Sequence, residues 1–82
     1  MLISVTQQHI DRGRRASCSE DAVALALKDA GFKSPWVSPD HLAWRNENKD
    51  YCVDTPSAVL AFLKIYDNGG AVLPFSFEME GL

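Results

Sequence analysis

The chain has 82 residues, 46% of them hydrophobic and 23% charged, with a formal net charge of −3. These values are typical of one globular domain, residues 1–82, and exclude an intrinsically disordered chain. The longest apolar stretch, Ala22–Leu27, is far shorter than the roughly 20 residues that span a bilayer, and the first residues lack the pattern of a secretion signal. We therefore expect a cytoplasmic protein without a membrane partner. Because so small a domain buries proportionally little surface, a homodimer is also considered.

The first predicted elements are a strand and a short helical turn. Leu2–Val5 is a short β-branched and apolar run that predicts a strand, and Thr6 can cap a helical turn that ends at Gly13. The turn leads into a basic loop, Asp11–Arg15, which contains three of the eight cationic side chains of the sequence. This loop is a candidate surface for binding a partner.

A first main helix is expected after the basic loop. Ser17 and Glu20 have the spacing of a capping box and predict that the helix begins there, and Gly31 supplies a left-handed stop. The residues expected to share one apolar face are Val23, Leu27 and Ala30, widened by Leu25 and Ala26.

The middle of the sequence predicts a hairpin. Trp36–Val37 and Leu42–Arg45 flank the turn Ser38–Asp40, and a polar stretch, 46–49, then leads into Tyr51–Val53. A second helix follows, with Thr55 before Pro56 as its capping pair and a stop at 68–70. Its apolar face is predicted to comprise Val59, Phe62, Leu63 and Tyr66.

The last segment alternates between apolar and polar residues, which predicts a strand with one buried face. The apolar set is Leu73, Phe75, Phe77 and Met79, and the polar set is Ser76, Glu78 and Glu80. Pro74 favours the start of the strand or an edge position. The order β-α-β-β-α-β predicts an α+β two-layer sandwich, with two helices on one face of a mainly antiparallel sheet. The ferredoxin-like split arrangement is the first topology to test.

Cys18 is the sharpest candidate for chemistry, because a thiol in the first turn of a helix can be activated as a thiolate. His9 or His41 could act as its base, although nothing in the sequence brings either imidazole near it. The two cysteines, Cys18 and Cys52, are expected to be reduced. The cysteines and histidines lack the paired short spacing of a zinc site, so no metal or other cofactor is expected.

A partner-binding surface is the main functional expectation. Tryptophan, tyrosine and arginine are the residues most enriched at protein contacts. The candidates are Arg12, Arg14, Arg15, Trp36, Trp44 and Tyr51. The same aromatic residues could stack on bases, which leaves a nucleic-acid-associated regulator as an alternative, although the net negative charge disfavours it.

The segments Ile3–Gly13, Ala22–Leu27 and Pro74–Phe77 together resemble a group of small proteins encoded by bacteriophages and prophages. The resemblance extends over nearly the whole chain and rests on structural positions, so it implies no catalytic activity. It implies a small acidic protein that binds and blocks a host protein, as anti-CRISPR proteins do. The sequence thus favours a non-enzymatic inhibitor of a host protein complex, with the nucleic-acid regulator and a Cys18-dependent enzyme as alternatives.

Overall fold

A computed structural model describes residues 1–79 and shows three helices and five strands in two antiparallel sheets. This is a small α+β domain, as the sequence predicts. The helices are α1 (Gln7–Arg12), α2 (Ala22–Asp29) and α3 (Ser57–Tyr66). The strands are β1 (Leu2–Val5), β2 (Lys33–Val37), β3 (His41–Asn46), β4 (Lys49–Asp54) and β5 (Phe75–Glu78). No helix among the described residues is long and apolar enough to cross a membrane.

The expected single sheet is divided in two. Strands β1 and β5 form one antiparallel pair, while β2, β3 and β4 form a separate three-stranded meander. The order therefore differs from the ferredoxin-like arrangement, in which all strands would share one sheet. Alternation of apolar and polar residues identifies strands and their faces, but it carries no information on which distant strands pair.

The β1–β5 sheet joins the two ends of the described chain. Ile3 lies opposite Phe77, and Ser4 lies opposite Ser76, with their hydroxyl oxygens 3.2 Å apart. Ile3 and Phe77 are buried, whereas both serines are exposed. This alternation confirms that one face of the last strand is apolar and buried. Leu73 was expected on that face too, but it precedes β5 and is 81% exposed; Glu80 lies outside the described residues.

The meander is built from two tight connections. Strands β2 and β3 are joined at Ser38–Asp40, as predicted, and the register between them shifts between Lys33 and Trp36. Strands β3 and β4 are joined by Glu47 and Asn48, both with positive φ (50° and 67°). Two consecutive positive φ angles are typical of the tightest hairpin turns, whose twist matches that of the strands.

One apolar core lies between the helices and the buried faces of both sheets. The predicted faces of the helices are confirmed, since Val23 and Leu27 of α2 and Val59 and Leu63 of α3 are buried. Residues from the other elements complete this core: Ile3, Val5, Phe32, Val37, Leu42, Trp44, Phe62, Tyr66, Phe77 and Met79.

The short helix α1 follows its prediction. The Thr6 hydroxyl accepts a hydrogen bond from the backbone N–H of His9, and the His9 ring accepts one from the N–H of Thr6. Histidine thus performs the role that glutamate usually has in a capping box. Gly13 ends the helix, but with φ −67°, so the left-handed region is not what requires glycine there. A Cβ at Gly13 would collide with the Tyr66 hydroxyl and the Ala22 nitrogen.

The start of α2 differs from its prediction. The helix begins at Ala22 and is capped by Asp21, whose Oδ1 accepts a hydrogen bond from the N–H of Ala24 at 2.7 Å. The hydroxyl of Ser17 does accept a bond from the N–H of Glu20, but that bond closes an isolated turn before the helix. The same three-residue spacing serves both motifs, and burial of Asp21 decides between them. Gly31, with φ 100°, supplies the predicted left-handed stop.

The start of α3 also differs in its cap. The structure places Pro56 at the N-cap without a side-chain hydrogen bond. The Thr55 hydroxyl, predicted to cap the helix, instead donates a hydrogen bond to the carbonyl oxygen of Ser38 at 2.7 Å. Thr55 therefore connects the end of β4 to the β2–β3 turn.

Candidate functional site

The outward side of the meander is the candidate binding surface, and we call it the outer sheet face. Trp36, Ala43 and Cys52 lie directly opposite one another on β2, β3 and β4, so their side chains share one face. Trp36 is 53% exposed, whereas Leu42, which precedes Ala43 on β3, is fully buried on the other face. Trp36 is therefore the large apolar side chain exposed on this face, and it lies on the edge strand β2.

Charged pairs flank Trp36 along the same face. Arg45 donates two hydrogen bonds to the carboxylate of Asp50, at 2.8 and 3.3 Å, and these lower the pKa of Asp50. At the other end of the strands His41 lies opposite Asp54. Both ends carry polar groups that are accessible to a partner, as in the polar rim of a protein interface.

The other two aromatic candidates lie on the opposite side of the meander. Trp44 is buried at 5% exposure, with its ring edge against Phe32 at a centroid distance of 5.1 Å. Tyr51 stacks on Trp44 at 5.7 Å and is 42% exposed, so it covers the margin of the core. Trp44 was expected in the partner-binding surface, but its side chain faces the core. Trp36 lies opposite Ala43, the neighbour of Trp44, so the two tryptophan side chains are on opposite faces of the sheet.

The three arginines of the basic loop have different environments. Arg15 donates hydrogen bonds to the carbonyl oxygens of Tyr66 and Gly70, and its guanidinium lies 4.6 Å from the centroid of the Tyr66 ring. It is therefore part of the fold. Arg14 forms an exposed ion pair with Glu20 at 3.3 Å, and Arg12 lies exposed at the end of α1. The sequence predicts all three arginines as partner-binding residues. Of the three, Arg12 and Arg14 have side chains that are available to contact a partner.

A buried acidic group lies behind the basic loop. Burial, together with the smaller effect of the nearby Asp67 carboxylate, raises the pKa of Asp21 to about 7, although hydrogen bonds from the N–H groups of Ala24 and Val23 act to lower it. Asp67 also accepts a bond from the N–H of Ala16, which fastens the loop to the end of α3. Burial likewise raises the pKa of Tyr66. Sequence spacing offers no sign of this cluster, since Asp21 is far along the chain from the adjacent residues Tyr66 and Asp67.

Cys18 lies before α2 and outside its first turn, so the activation by a helix terminus that the sequence suggests does not apply. Its carbonyl oxygen accepts a hydrogen bond from the N–H of Val37 at 2.7 Å, which places the segment beside β2. His9 is bound elsewhere: its Nδ1 accepts from Thr6, and its Nε2 lies 2.6 Å from Asp29. The structure thus gives His9 a role that connects α1 to α2.

Neither cysteine forms a disulfide; Cys18 is partly buried and Cys52 is exposed. Among residues 1–79, no group of three or more histidine, cysteine or carboxylate side chains has the arrangement of a metal site.

An apolar groove of about 400 Å³ lies between α3 and the segment that leads into β5. It is lined by Ala58, Ala61, Ile65, Val72, Leu73 and Phe75, among others. Ile65 is 50% exposed and Leu73 81% exposed. The groove is not evident from the predicted core faces, although Ala58, Ala61 and Ile65 have helical spacing on the side of α3 away from its buried face.

Comparisons with protein-family models, with curated proteins and with solved structures gave no match for this chain.

Proposed function

We propose that the chain is a small non-enzymatic protein of phage or prophage type, which binds a host protein complex and inhibits it in the bacterial cytoplasm. An anti-CRISPR is the leading form of this proposal. One observation carries it: Trp36 is half exposed on the outer sheet face, on the edge strand β2, and Arg45 with Asp50 and His41 with Asp54 lie toward the two ends of that face. Tryptophan in such a setting is the residue most often found as an energetic anchor of protein contacts.

The inhibition would be steric. The three-stranded outer sheet face would cover a functional surface of the host complex, with Trp36 inserted into an apolar pocket and the exposed side chain of Arg14 as a further contact. The hydrogen bond from the N–H of Val37 to the carbonyl oxygen of Cys18 places the segment that follows the basic loop beside β2. Exposed charges such as that of Arg14 mainly increase the rate of association. Trp36, which would become buried in the complex, would mainly lower the rate of dissociation.

The alternative of a nucleic-acid-associated regulator has less support from the arrangement of charges. Arg15 is engaged with Tyr66 and Gly70, and Arg14 is paired with Glu20. Phosphate binding requires several accessible cations, and each added phosphate contact increases the dependence of affinity on salt. The Cys18-dependent enzyme is the second alternative, and it requires a base near the thiol.

The experiment is capture of a partner from a bacterial lysate, identification by mass spectrometry, and calorimetry with the purified partner. Trp36→Ala should weaken binding by about 2 kcal/mol or more, or roughly thirtyfold. Leu2→Ala is the matched control, since Leu2 is 59% exposed on the other sheet and should leave binding unchanged. Equal affinity of the Trp36→Ala variant and the parent would refute the assigned surface.

Two further measurements, of nucleic-acid binding and of inhibition of the partner, separate the alternatives. Binding of nucleic acid, with affinity that falls steeply as salt is added, would favour the regulator. Loss of inhibition in a folded Cys18→Ser variant would favour the enzyme, because serine preserves the size of the side chain but not its thiolate.

A further inference from the structure

Strand β5 has an edge that no strand covers within the described residues. It pairs with β1 alone. The N–H of Met79 donates to the carbonyl oxygen of Met1, and the Met1 nitrogen donates to that of Met79, both at 2.8 Å. Reciprocal pairs recur at every second residue of an antiparallel ladder, so Phe77 also faces β1. The backbone N–H and C=O groups of Ser76 and Glu78 consequently point away from β1.

This edge adjoins the apolar groove. Phe75 is the first residue of β5 and also lines the groove, whose rim carries the highly exposed side chain of Leu73. An unpaired strand edge beside uncovered apolar surface is a template for adding a further strand. A sheet of two strands is, moreover, only marginally stable without further strands or packing.

We propose that β5 pairs with β5 of a second copy of the chain, around a two-fold axis that passes beside Phe77. Ser76 then lies opposite the partner's Glu78, and their backbone groups form reciprocal hydrogen bonds. The result is a continuous four-stranded antiparallel sheet. The groove of each subunit, with Leu73 at its rim, borders the edge of the other.

The register follows from the sequence of β5. Centring the pair on Ser76 would place Pro74 opposite the partner's Glu78, where proline has no N–H to donate. Centring it on Phe77 leaves Pro74 outside the pairs formed by residues 75–79, and Phe77 meets the partner's Phe77 on the core side. Charge is compatible as well: the two Glu78 side chains are not opposite each other, and each lies 3.4 Å from the ammonium group of its own Met1.

The area that the free edge of β5 and the groove can bury indicates how large the dimer interface can be. A standard interface takes about 800 Å² from each partner, or roughly 20–30 residues a side. The free edge and the groove together supply about half that number of residues, so the dimer belongs to the small end of the range. We expect a dimer that dissociates at micromolar concentrations.

The test is sedimentation equilibrium of the full chain under reducing conditions, from low micromolar to near-millimolar concentration. The parent should show a reversible monomer–dimer equilibrium, and Ser76→Pro should weaken it at least tenfold by removing an edge donor. Ser4→Pro is the matched control, because Ser4 lies opposite Ser76 on β1 and its backbone faces the other edge. Circular dichroism establishes that each variant is folded.

Leu73→Asp provides a second test that does not disturb the strand. Leu73 is exposed in the monomer, so the variant should fold normally and yet weaken the dimer at least tenfold. Trp36→Ala, on the other sheet, should leave the dimer intact, so this proposal and the proposed function can fail separately. A parent that stays monomeric throughout would overturn the inference, as would a dimer that tolerates Leu73→Asp or is lost only in folded Ser4→Pro.

Discussion

The guanidinium of Arg15 lies over the ring of Tyr66, 4.6 Å from its centroid, and also donates a hydrogen bond to the carbonyl oxygen of that residue. Arg15, a residue of the basic loop, therefore contacts and hydrogen-bonds the last residue of α3. A second hydrogen bond, to Gly70, extends this contact past the helix. The interaction gives Arg15 a structural role that its neighbour Arg14 does not share.

Arg15→Ala should lower the free energy of unfolding by about 1–2 kcal/mol, through loss of the cation–π contact and of charged hydrogen bonds. Arg14→Ala is the control and should change it by less than about 1 kcal/mol, because its ion pair with Glu20 is exposed. Urea unfolding of both variants measures the difference. Equal effects would mean that the contact with Tyr66 contributes nothing.

The raised pKa of Asp21 predicts a stability that depends on pH. Its carboxyl group has a pKa of about 7 in the folded protein, against 3.8 as a model value. Since ionisation is harder in the folded state, the free energy of unfolding should fall as pH rises from 4 to 7, by up to about 1.4 kcal/mol per pH unit. Above pH 7 this contribution should be constant.

Asp21→Asn should remove that slope and keep the helix cap, because asparagine caps helices as well as aspartate does. Asp67→Asn should shift the fall toward lower pH by removing the neighbouring negative charge, which raises the pKa of Asp21. Thermal unfolding from pH 4 to 8 checks both variants. A parent whose stability rises with pH over this range would contradict the assignment.

Phe62 joins α3 to the β1–β5 sheet. Its ring lies 4.8 Å from that of Phe75 and 5.1 Å from that of Tyr66. Phe62→Ala should cost about 3–5 kcal/mol, a large part of the stability of so small a domain. Phe75→Ala should cost less, since Phe75 is only partly buried. Denaturant unfolding tests this order, and a Phe62→Ala variant as stable as the parent would disprove the core assignment.

The β3–β4 turn offers a stabilising change. Glu47 and Asn48 both have positive φ, and asparagine followed by glycine is the preferred pair for such a turn. Replacing the two residues, Glu47→Asn with Asn48→Gly, should raise the free energy of unfolding by about 0.5–1 kcal/mol. An increased melting temperature with an unchanged circular dichroism spectrum is the expected result, and a decreased one would contradict this turn geometry.

Local sequence patterns predicted the main helices and most of the strands. They were less successful for the residues at which the helices begin and for which strands pair. The helical spacing of Val59, Phe62, Leu63 and Tyr66 identified the buried face of α3, because that face depends on periodicity alone. Ser17 was mistaken for the cap of α2 because Ser17 and Asp21 each accept a hydrogen bond from the N–H three residues later, and only the bond to Asp21 begins the helix.

The candidate site was predicted only in part, for a similar reason. Trp36 and Trp44 are both aromatic strand residues, and the sequence gives no sign that Trp36 pairs with Ala43 and so faces away from Trp44. Arg15 is indistinguishable from Arg14 until the end of α3 is brought beside the loop. Leu73 continued the alternation of β5, yet the strand begins two residues later.

The pairing of β1 with β5 affects how the chain can fold during synthesis. Leu2 lies opposite Glu78, so β1 has no partner strand until β5, more than 70 residues later, has also been translated. The meander of β2, β3 and β4, by contrast, contains only local pairings, which form fastest. A nascent chain that ends before β5 is expected to leave Ile3 and Val5, on the apolar side of β1, without the β5 residues that pair with them. Such a chain is expected to be a target for chaperones and proteases.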